Sequence, residues 1–227
     1  VVGAAGNVIQ TADIAAAGTA AVAIGATTGS VTMADGTTTS TLDGAIGMTA
    51  GRDAVLATLV STNGAVSVSA GGAIRDNTIS EAANIQSAAM VTLTAVEGIG
   101  TVGAGDLDLQ SGQLNALNSG ATGDIVIEET ATGGALDVQR VYQSNAAGAG
   151  NILLATVNGT ITLIEGQSGV KASGAGHILL LAQDPDAVAE SDVAISAPVT
   201  ASAGHVSIIA ADSVEQKANV TTAGAGT

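Results

Sequence analysis

The sequence predicts an all-β fold, a parallel β-helix of about ten coils, because one local pattern recurs along the whole chain. Ten glycines are followed by Ile, Leu, Val or Met at both the second and the fourth position after them, where chance would give about two. A turn residue followed by alternating aliphatic residues is typical of a short strand that buries one face. The ten are Gly29, Gly44, Gly64, Gly105, Gly123, Gly134, Gly150, Gly159, Gly176 and Gly204.

A second observation is the absence of large aromatic residues from a chain of 227 residues. Phe and Trp do not occur, Tyr142 is the single tyrosine, and Ala, Val, Ile and Leu supply most of the 46% hydrophobic content. A globular core without aromatic side chains leaves gaps between its layers, whereas rows of small aliphatic side chains fill a narrow tube of stacked strands. The composition therefore favours a solenoid.

The spacing of the pattern predicts uneven coils with a mean step of about 22 residues, a period typical of solenoids. Two further glycines, Gly134 and Gly159, fit second strands within a coil, and the polar stretch 183–192 fits a loop that leaves the tube. No change in composition divides the chain, so we expect a single domain over residues 1–227. The predicted coil starts are Gly6, Gly29, Gly44, Gly64, the region of Asn84, Gly105, Gly123, Gly150, Gly176 and Gly204.

Two other structures fit parts of the sequence. Residues 14–34 carry no charge and are long enough to cross a membrane as a helix, but their Ala, Gly, Thr and Ser content favours a repeat, so we expect no membrane insertion. An antiparallel β-sandwich stays open if the glycines mark hairpins. Asn-Gly and Asp-Gly pairs are few, with those at Gly44, Gly64 and Gly159 among them, which argues against it.

Three segments resemble the repeats of filamentous-haemagglutinin-type adhesins, in which a glycine is followed by alternating apolar residues and then by Ala and Gly. They are Gly64–Ile74, Gly105–Gly112 and Ala203–Asp212. The resemblance is one of repeat style and covers most of the chain. It implies a right-handed winding of the parallel β-helix, export to the cell surface, and a role in adhesion or cell contact.

The net charge of −15, from 20 acidic and 5 basic residues, excludes nucleic acid and anionic membranes as partners, because so few cations cannot neutralise them. The charge suits an extracellular, cell-surface protein, or a surface that gathers divalent cations. The absence of cysteine excludes disulfides, thiol catalysis and cysteine-based zinc sites.

A weak calcium patch is predicted where acidic residues recur on neighbouring coils. Asp106 and Asp108 share the outward face of one strand, and Asp124 follows the next coil-opening glycine. Glu128 and Glu129 lie on the strand after Asp124. Carboxylate oxygens are Ca²⁺ ligands, and like charges one strand spacing apart need water or a cation between them. The alternative is a solvated acidic face. We expect no other cofactor.

Other polar groups are weaker candidates for a site. His177 and His205 occupy equivalent positions one coil apart, and without a third ligand we expect a stacked surface pair. A threonine-rich stretch at 37–41 suggests an ice-binding surface, but the threonines do not recur at the same position in each repeat, as a regular array requires. One loop carries four acids with no base or aromatic platform placed beside them, so we expect no enzyme. These acids are Asp184, Asp186, Glu190 and Asp192.

Both ends of the sequence continue the repeat without a polar cap, although the terminal coils of solenoids need a cover. We therefore expect either a longer polypeptide or head-to-tail stacking of copies into a filament. The expected function is the structural and adhesive shaft of an extracellular cell-surface fibre, with a host or neighbour-cell receptor or glycan as a further partner. The alternative is a glycan-binding or glycan-cleaving β-helix.

Overall fold

The computed structural model describes residues 1–80, 82–131, 134–187 and 190–224, and over these residues it contains strands and turns but no helix. The strands in chain order are β1 (Val2–Ala4), β2 (Val8–Gln10), β3 (Ile14–Ala16), β4 (Val22–Ala26), β5 (Val31–Met33), β6 (Thr38–Thr41), β7 (Ile46–Ala50), β8 (Ala54–Leu56), β9 (Thr58–Ser61), β10 (Val66–Ala70), β11 (Ile74–Asp76), β12 (Ile85–Ala95), β13 (Leu107–Asn118), β14 (Ile125–Glu129), β15 (Leu136–Gln143), β16 (Ile152–Thr156), β17 (Ile161–Leu163), β18 (Gly169–Ala172), β19 (Ile178–Ala182), β20 (Val193–Ile195), β21 (Val199–Ala201), β22 (Val206–Ala210), β23 (Val214–Gln216) and β24 (Val220–Thr222).

These strands wind into a β-solenoid of about nine turns, in which each strand pairs in parallel with its equivalents in the neighbouring turns. We call the longest stack side A. It consists of β1, β4, β7, β10, the second parts of β12, β13 and β15 (from Val91, Leu114 and Arg140 onward), then β18, β21 and β24. The parallel solenoid is confirmed. The right-handed winding stays a prediction.

Two further sides complete each turn of the tube. Side B contains β2, β5, β8 and β11, continues through a single bridging residue, Ile99, and ends with β14, β16, β19 and β22. Side C of the first turns contains β3, β6, β9 and the first parts of β12 and β13, and the first part of β13 then pairs with the end of β14 on side B. In the later turns the third side is side D, formed by the first part of β15 and by β17, β20 and β23.

The register of side A shows how long each turn is. A short turn leads from Met48 to its partner Val68, and a longer one leads from Val170 to its partner Val199. The strand segments of side A enclose about nine turns, close to the ten coils predicted. The stretch 14–34 contains β3, β4 and β5, as the repeat interpretation predicted. None of the described residues forms a helix that is long and apolar enough to cross a membrane.

Each of the ten glycine-and-aliphatic patterns lies at a strand. Nearly all of their aliphatic side chains are buried, and the exceptions are Val206 and Ile208, in the last described turn. Gly134 and Gly159 precede second strands of a turn, as predicted, but the predicted coil starts do not all mark the same side of the tube. Gly29 precedes β5 on side B and Gly44 precedes β7 on side A, so the step between them is only part of a turn. A local pattern reports a strand but not the side to which it belongs.

The core is a single column of small aliphatic side chains that runs from Val8 to Ala201. Alternate residues of each strand point into it, and the register places like on like: Ile152 lies between Ile125 and Ile178 on successive turns. No phenylalanine or tryptophan is needed, because each turn adds only one thin layer.

Polar side chains replace backbone acceptors at the corner before side B. Asn7 Oδ1 accepts the N–H of Ser30 at 2.9 Å, Ser30 Oγ accepts the N–H of Asp53 at 3.3 Å, and Asp53 Oδ1 accepts the N–H of Ala73 at 2.9 Å. Asn7, Ser30 and Asp53 each immediately precede a strand of side B in successive turns. The ladder satisfies corner N–H groups that the flanking strands leave without a backbone partner.

Stacked glycines form the same corner in the later turns. A Cβ atom on Gly176 would overlap the carbonyl oxygen of Gly150, and one on Gly204 would overlap that of Gly176. These oxygen atoms belong to the backbone of the preceding turn, so they cannot move aside without breaking the stack. Glycine is required here for close approach of two turns.

We expect Gly176→Ala to destabilise the solenoid by about 3 kcal/mol or more, because the added methyl group overlaps the backbone of the turn below. Gly112→Ala is the matched control, since Gly112 lies on β13 with no atom within 4 Å of its added Cβ. The control should be neutral or slightly stabilising. Urea unfolding followed by circular dichroism measures both variants, and equal midpoints would contradict the close-packed corner.

Candidate functional site

Three of the four residues predicted as a calcium patch come together on the side of the sheet that faces away from the core. One carboxylate oxygen from each of Asp106, Asp108 and Glu128 lies within 4.8 Å of the others. The register of β13 and β14 explains this, because Asp108 pairs directly with Glu128 and Asp106 precedes the same strand. Among the described residues this is the only cluster of three or more side chains of the types that bind metals.

The fourth predicted residue, Asp124, belongs to a different structure. Its Oδ1 atom accepts hydrogen bonds from the backbone N–H and the side-chain amide of Asn151, at 2.7 and 3.1 Å. Asp124 therefore continues the corner ladder of side B.

Burial distinguishes the carboxylates of the cluster from a solvated acidic face. Asp108 is only 2% exposed, and its backbone N–H donates to Oδ1 of Asn84 at 2.9 Å. Partial burial raises the pKa of Asp106, and the nearby charge of Asp76 raises it further, against a backbone hydrogen bond that lowers it. Three converging carboxylates repel one another unless a proton or a cation lies between them. Oxygen ligands of this kind suit Ca²⁺, so calcium binding here stays a prediction.

Glu129 points away from this cluster, into the tube. It is 1% exposed, and its two carboxylate oxygens accept the backbone N–H groups of Ser111 and Ala131 at 2.7 and 3.0 Å. Burial raises the pKa of Glu129 to about 7, and the two hydrogen bonds oppose the rise. The sequence placed Glu129 beside the calcium patch, but strand alternation turns its side chain to the opposite face.

The histidine pair lies on the surface, stacked as predicted. The rings of His177 and His205 are parallel within 3°, with centroids 5.0 Å apart. They extend the corner ladder: Asn151 Oδ1 accepts the N–H of His177 at 2.9 Å, and His177 Nδ1 accepts the N–H of His205 at 2.9 Å. The pair therefore has a structural role between the last turns, the same role that Asn7 and Ser30 have in the first turns.

The four loop acids do not converge. Asp186 accepts a hydrogen bond from the side chain of Asn158 at 3.1 Å, and Asp192 accepts the backbone N–H of Ser213 at 2.9 Å. Asp184 and Glu190 lie in the same connection between β19 and β20, in which positions 188 and 189 are outside the described part. Among the described residues, no group of three acids forms in this loop.

One cluster on side A was missed from the sequence. Arg140 and Tyr142 alternate on the outward face of β15, and the guanidinium carbon lies 6.0 Å from the centre of the tyrosine ring. Lys171 pairs with Tyr142 in the next turn, and Asn115 pairs with Arg140 in the previous turn. The alternation of Arg140 and Tyr142 is visible in the sequence. The contribution of Lys171 depends on the length of a whole turn, which no local pattern reveals.

Comparison of the chain with protein-family models, with curated proteins and with solved structures finds no match. The resemblance to haemagglutinin-type repeats therefore stays one of repeat style.

The calcium hypothesis predicts that Ca²⁺ at about 5 mM, above the dissociation constants of extracellular calcium modules, raises the free energy of unfolding by about 1 kcal/mol. Glu128→Gln should abolish this response, because it replaces one of the three negatively charged carboxylate ligands by a neutral amide. In EDTA the same variant should be more stable than the natural chain, since one repelling charge is gone. Asp137→Asn, on side D, is the matched control and should respond to calcium normally. Thermal unfolding with and without calcium tests this, and an unchanged response in Glu128→Gln would contradict it.

The buried Glu129 predicts a pH dependence of stability. Its pKa is about 7 in the folded chain against an ordinary value of 4.5, so between these values the folded state holds a proton that the unfolded state has released. The free energy of unfolding should therefore fall by about 3 kcal/mol as the pH rises from 4.5 through 7. Glu129→Gln should remove this fall in the free energy of unfolding, so that only the pH dependence due to the other carboxylates remains. Urea titrations at pH 5 and pH 8 measure it, and equal pH dependence in both proteins would show that Glu129 is ionised throughout.

Proposed function

We propose that this solenoid is the structural and adhesive shaft of an extracellular cell-surface fibre. The observation that carries the proposal is that the first and last described turns have open strand edges. β1, β2 and β3 pair with other strands on one side only, and so do β22, β23 and β24. Their inward side chains belong to the same columns that are buried in the middle turns, which makes both ends surfaces for further turns.

The exposure of these end residues supports the same proposal. Val2 is 41% exposed and Val214 is 50% exposed, whereas their partners Ile24 and Val193 are 2% and 0% exposed. Covering these residues with another turn would bury apolar surface and pair the open strand edges at the same time. The covering turn comes from a second copy stacked head to tail or from the same polypeptide continued.

Composition supports an extracellular location for the shaft. A chain with 20 acidic residues stays soluble and repels other anionic surfaces, and a chain without cysteine needs no particular redox environment. About nine turns at a strand spacing of about 4.8 Å give a rod about 45 Å long. Such a rod holds binding surfaces away from a cell without any catalytic centre. A glycan-cleaving function has less support, because Asp186 and Asp192 of the acidic loop are engaged in separate hydrogen bonds.

Electron microscopy of the purified chain at high concentration tests the shaft, with rods in multiples of about 45 Å expected. Ile208→Asp places a charge on the inward face of the last described turn and should block stacking. Ile209→Asp is the matched control, because Ile209 is the next residue on the same strand and points outward, 52% exposed. Equal effects of the two variants would contradict end-to-end stacking. Strict monomers at every concentration would leave a longer polypeptide as the only way to extend the shaft.

A further inference from the structure

Side A differs in charge from the chain as a whole. Its ten strand segments contain no aspartate or glutamate, although the chain carries 20 acidic residues. The same side carries two of the five basic residues, Arg140 and Lys171, and the single tyrosine, Tyr142. A patch of positive charge on so acidic a protein lies where a negatively charged partner meets the least repulsion.

The three residues lie on two adjacent turns, and hydrogen bonds hold two of the side chains in place. The Tyr142 hydroxyl donates to the carbonyl oxygen of Ser168 at 3.0 Å, which fixes the ring across the sheet. Arg140 Nε donates to Oδ1 of Asn115 at 3.0 Å, which places the guanidinium beside that ring. Lys171 lies one strand spacing further along the axis, about 4.8 Å from Tyr142 between backbones.

The charges of Arg140 and Lys171 are not neutralised within the described part of the chain. The ion pairs found there join Arg75 to Asp53 at 3.9 Å and Lys217 to Glu215 at 2.9 Å. Arg140 keeps four N–H donors beyond its bond to Asn115, and a guanidinium binds carboxylate and sulfate groups through two parallel hydrogen bonds.

The rest of side A offers hydroxyl groups and open space. In the middle turns the outward positions are Ser67 and Ser69, followed by Thr92 and Thr94 in register. A groove of about 720 Å³ covers the first turns, where the outward residues include Gly3, Ala23, Gly25, Gly47 and Thr49. The outward residues of side A are therefore small in the first turns and carry hydroxyl groups in the middle turns, and the cationic and aromatic residues follow on β15 and β18.

We infer that side A binds an acidic polysaccharide, with Arg140 and Lys171 contacting its carboxylate or sulfate groups and Tyr142 packing against a sugar ring. Sugar rings present apolar faces to aromatic side chains, and their hydroxyls pair with Ser and Thr. A sugar unit is about as long as the spacing of about 4.8 Å between turns, so an extended polysaccharide along the axis meets a new strand at each sugar. This site goes beyond the shaft function, and it exists whether or not copies stack into a fibre.

The isolated chain is tested for binding to polygalacturonate, which carries carboxylates, and to dextran sulfate, by biolayer interferometry at physiological ionic strength. Neutral dextran and polyglutamate are the reference polymers. We expect binding to at least one acidic polysaccharide and to neither reference. The double variant Arg140→Gln/Lys171→Gln should bind roughly tenfold more weakly or worse, and Tyr142→Leu should also lose affinity.

The matched control is Arg52→Gln/Arg75→Gln, which changes the net charge by the same amount at positions outside side A. It should bind like the natural chain, and circular dichroism and melting temperature should show that every variant is folded. Absence of binding to both acidic polysaccharides, or equal weakening by both double variants, would overturn the inference. Polyglutamate binding as tight as polysaccharide binding would overturn it too, since the side would then recognise charge alone. Rod formation in the microscope is independent of all these results.

Discussion

Parallel stacking of one turn on the next governs every other feature of this molecule. The backbone N–H and C=O groups of each strand point along the axis of the tube, so each turn must lie about 4.8 Å from its neighbours and in register with them. Every position then has the equivalent position of another turn directly above and below it. A side chain is acceptable only if it can lie against its neighbours in that column, as Ile125, Ile152 and Ile178 do in the core.

The stacking rule explains the polar corner and the stacked glycines. Where the backbone bends between two sides, the hydrogen bonds between the backbones of neighbouring strands are interrupted. There the side chains of Asn7, Ser30 and Asp53 accept backbone N–H groups of the next turn. Asn, Ser, Asp and neutral His all carry an acceptor within reach, so the corner tolerates several residue types. The positions just before this corner do not tolerate other residue types. At Gly176 and Gly204 the carbonyl oxygen of the turn below lies where a Cβ atom would be.

Columns also decide where charge accumulates. Asp108 and Glu128 lie side by side because β13 and β14 are in register. Asp106 completes the cluster from the residue just before β13. The resulting cluster has an electrostatic cost that a bound cation would remove. Side A has the opposite character: its strand segments contain no acidic residue, and β15 places Arg140 beside Tyr142. One rod thus presents faces with different chemistry, as the proposed shaft and its proposed polysaccharide site require.

Local sequence was enough to predict the strands, because a turn glycine and alternating aliphatic residues depend only on the two-residue period of a strand. It was also enough to predict the stacked pair of His177 and His205, which follow equivalent glycines. Which side each strand joins emerges only in the folded solenoid, since turns of unequal length shift the register between one pattern and the next. For that reason Asp124 belongs to the corner ladder and not to the predicted acidic patch, and Lys171 of the following turn lies beside Tyr142. Contacts between turns depend on the summed length of all the loops between them, and no local pattern records that sum.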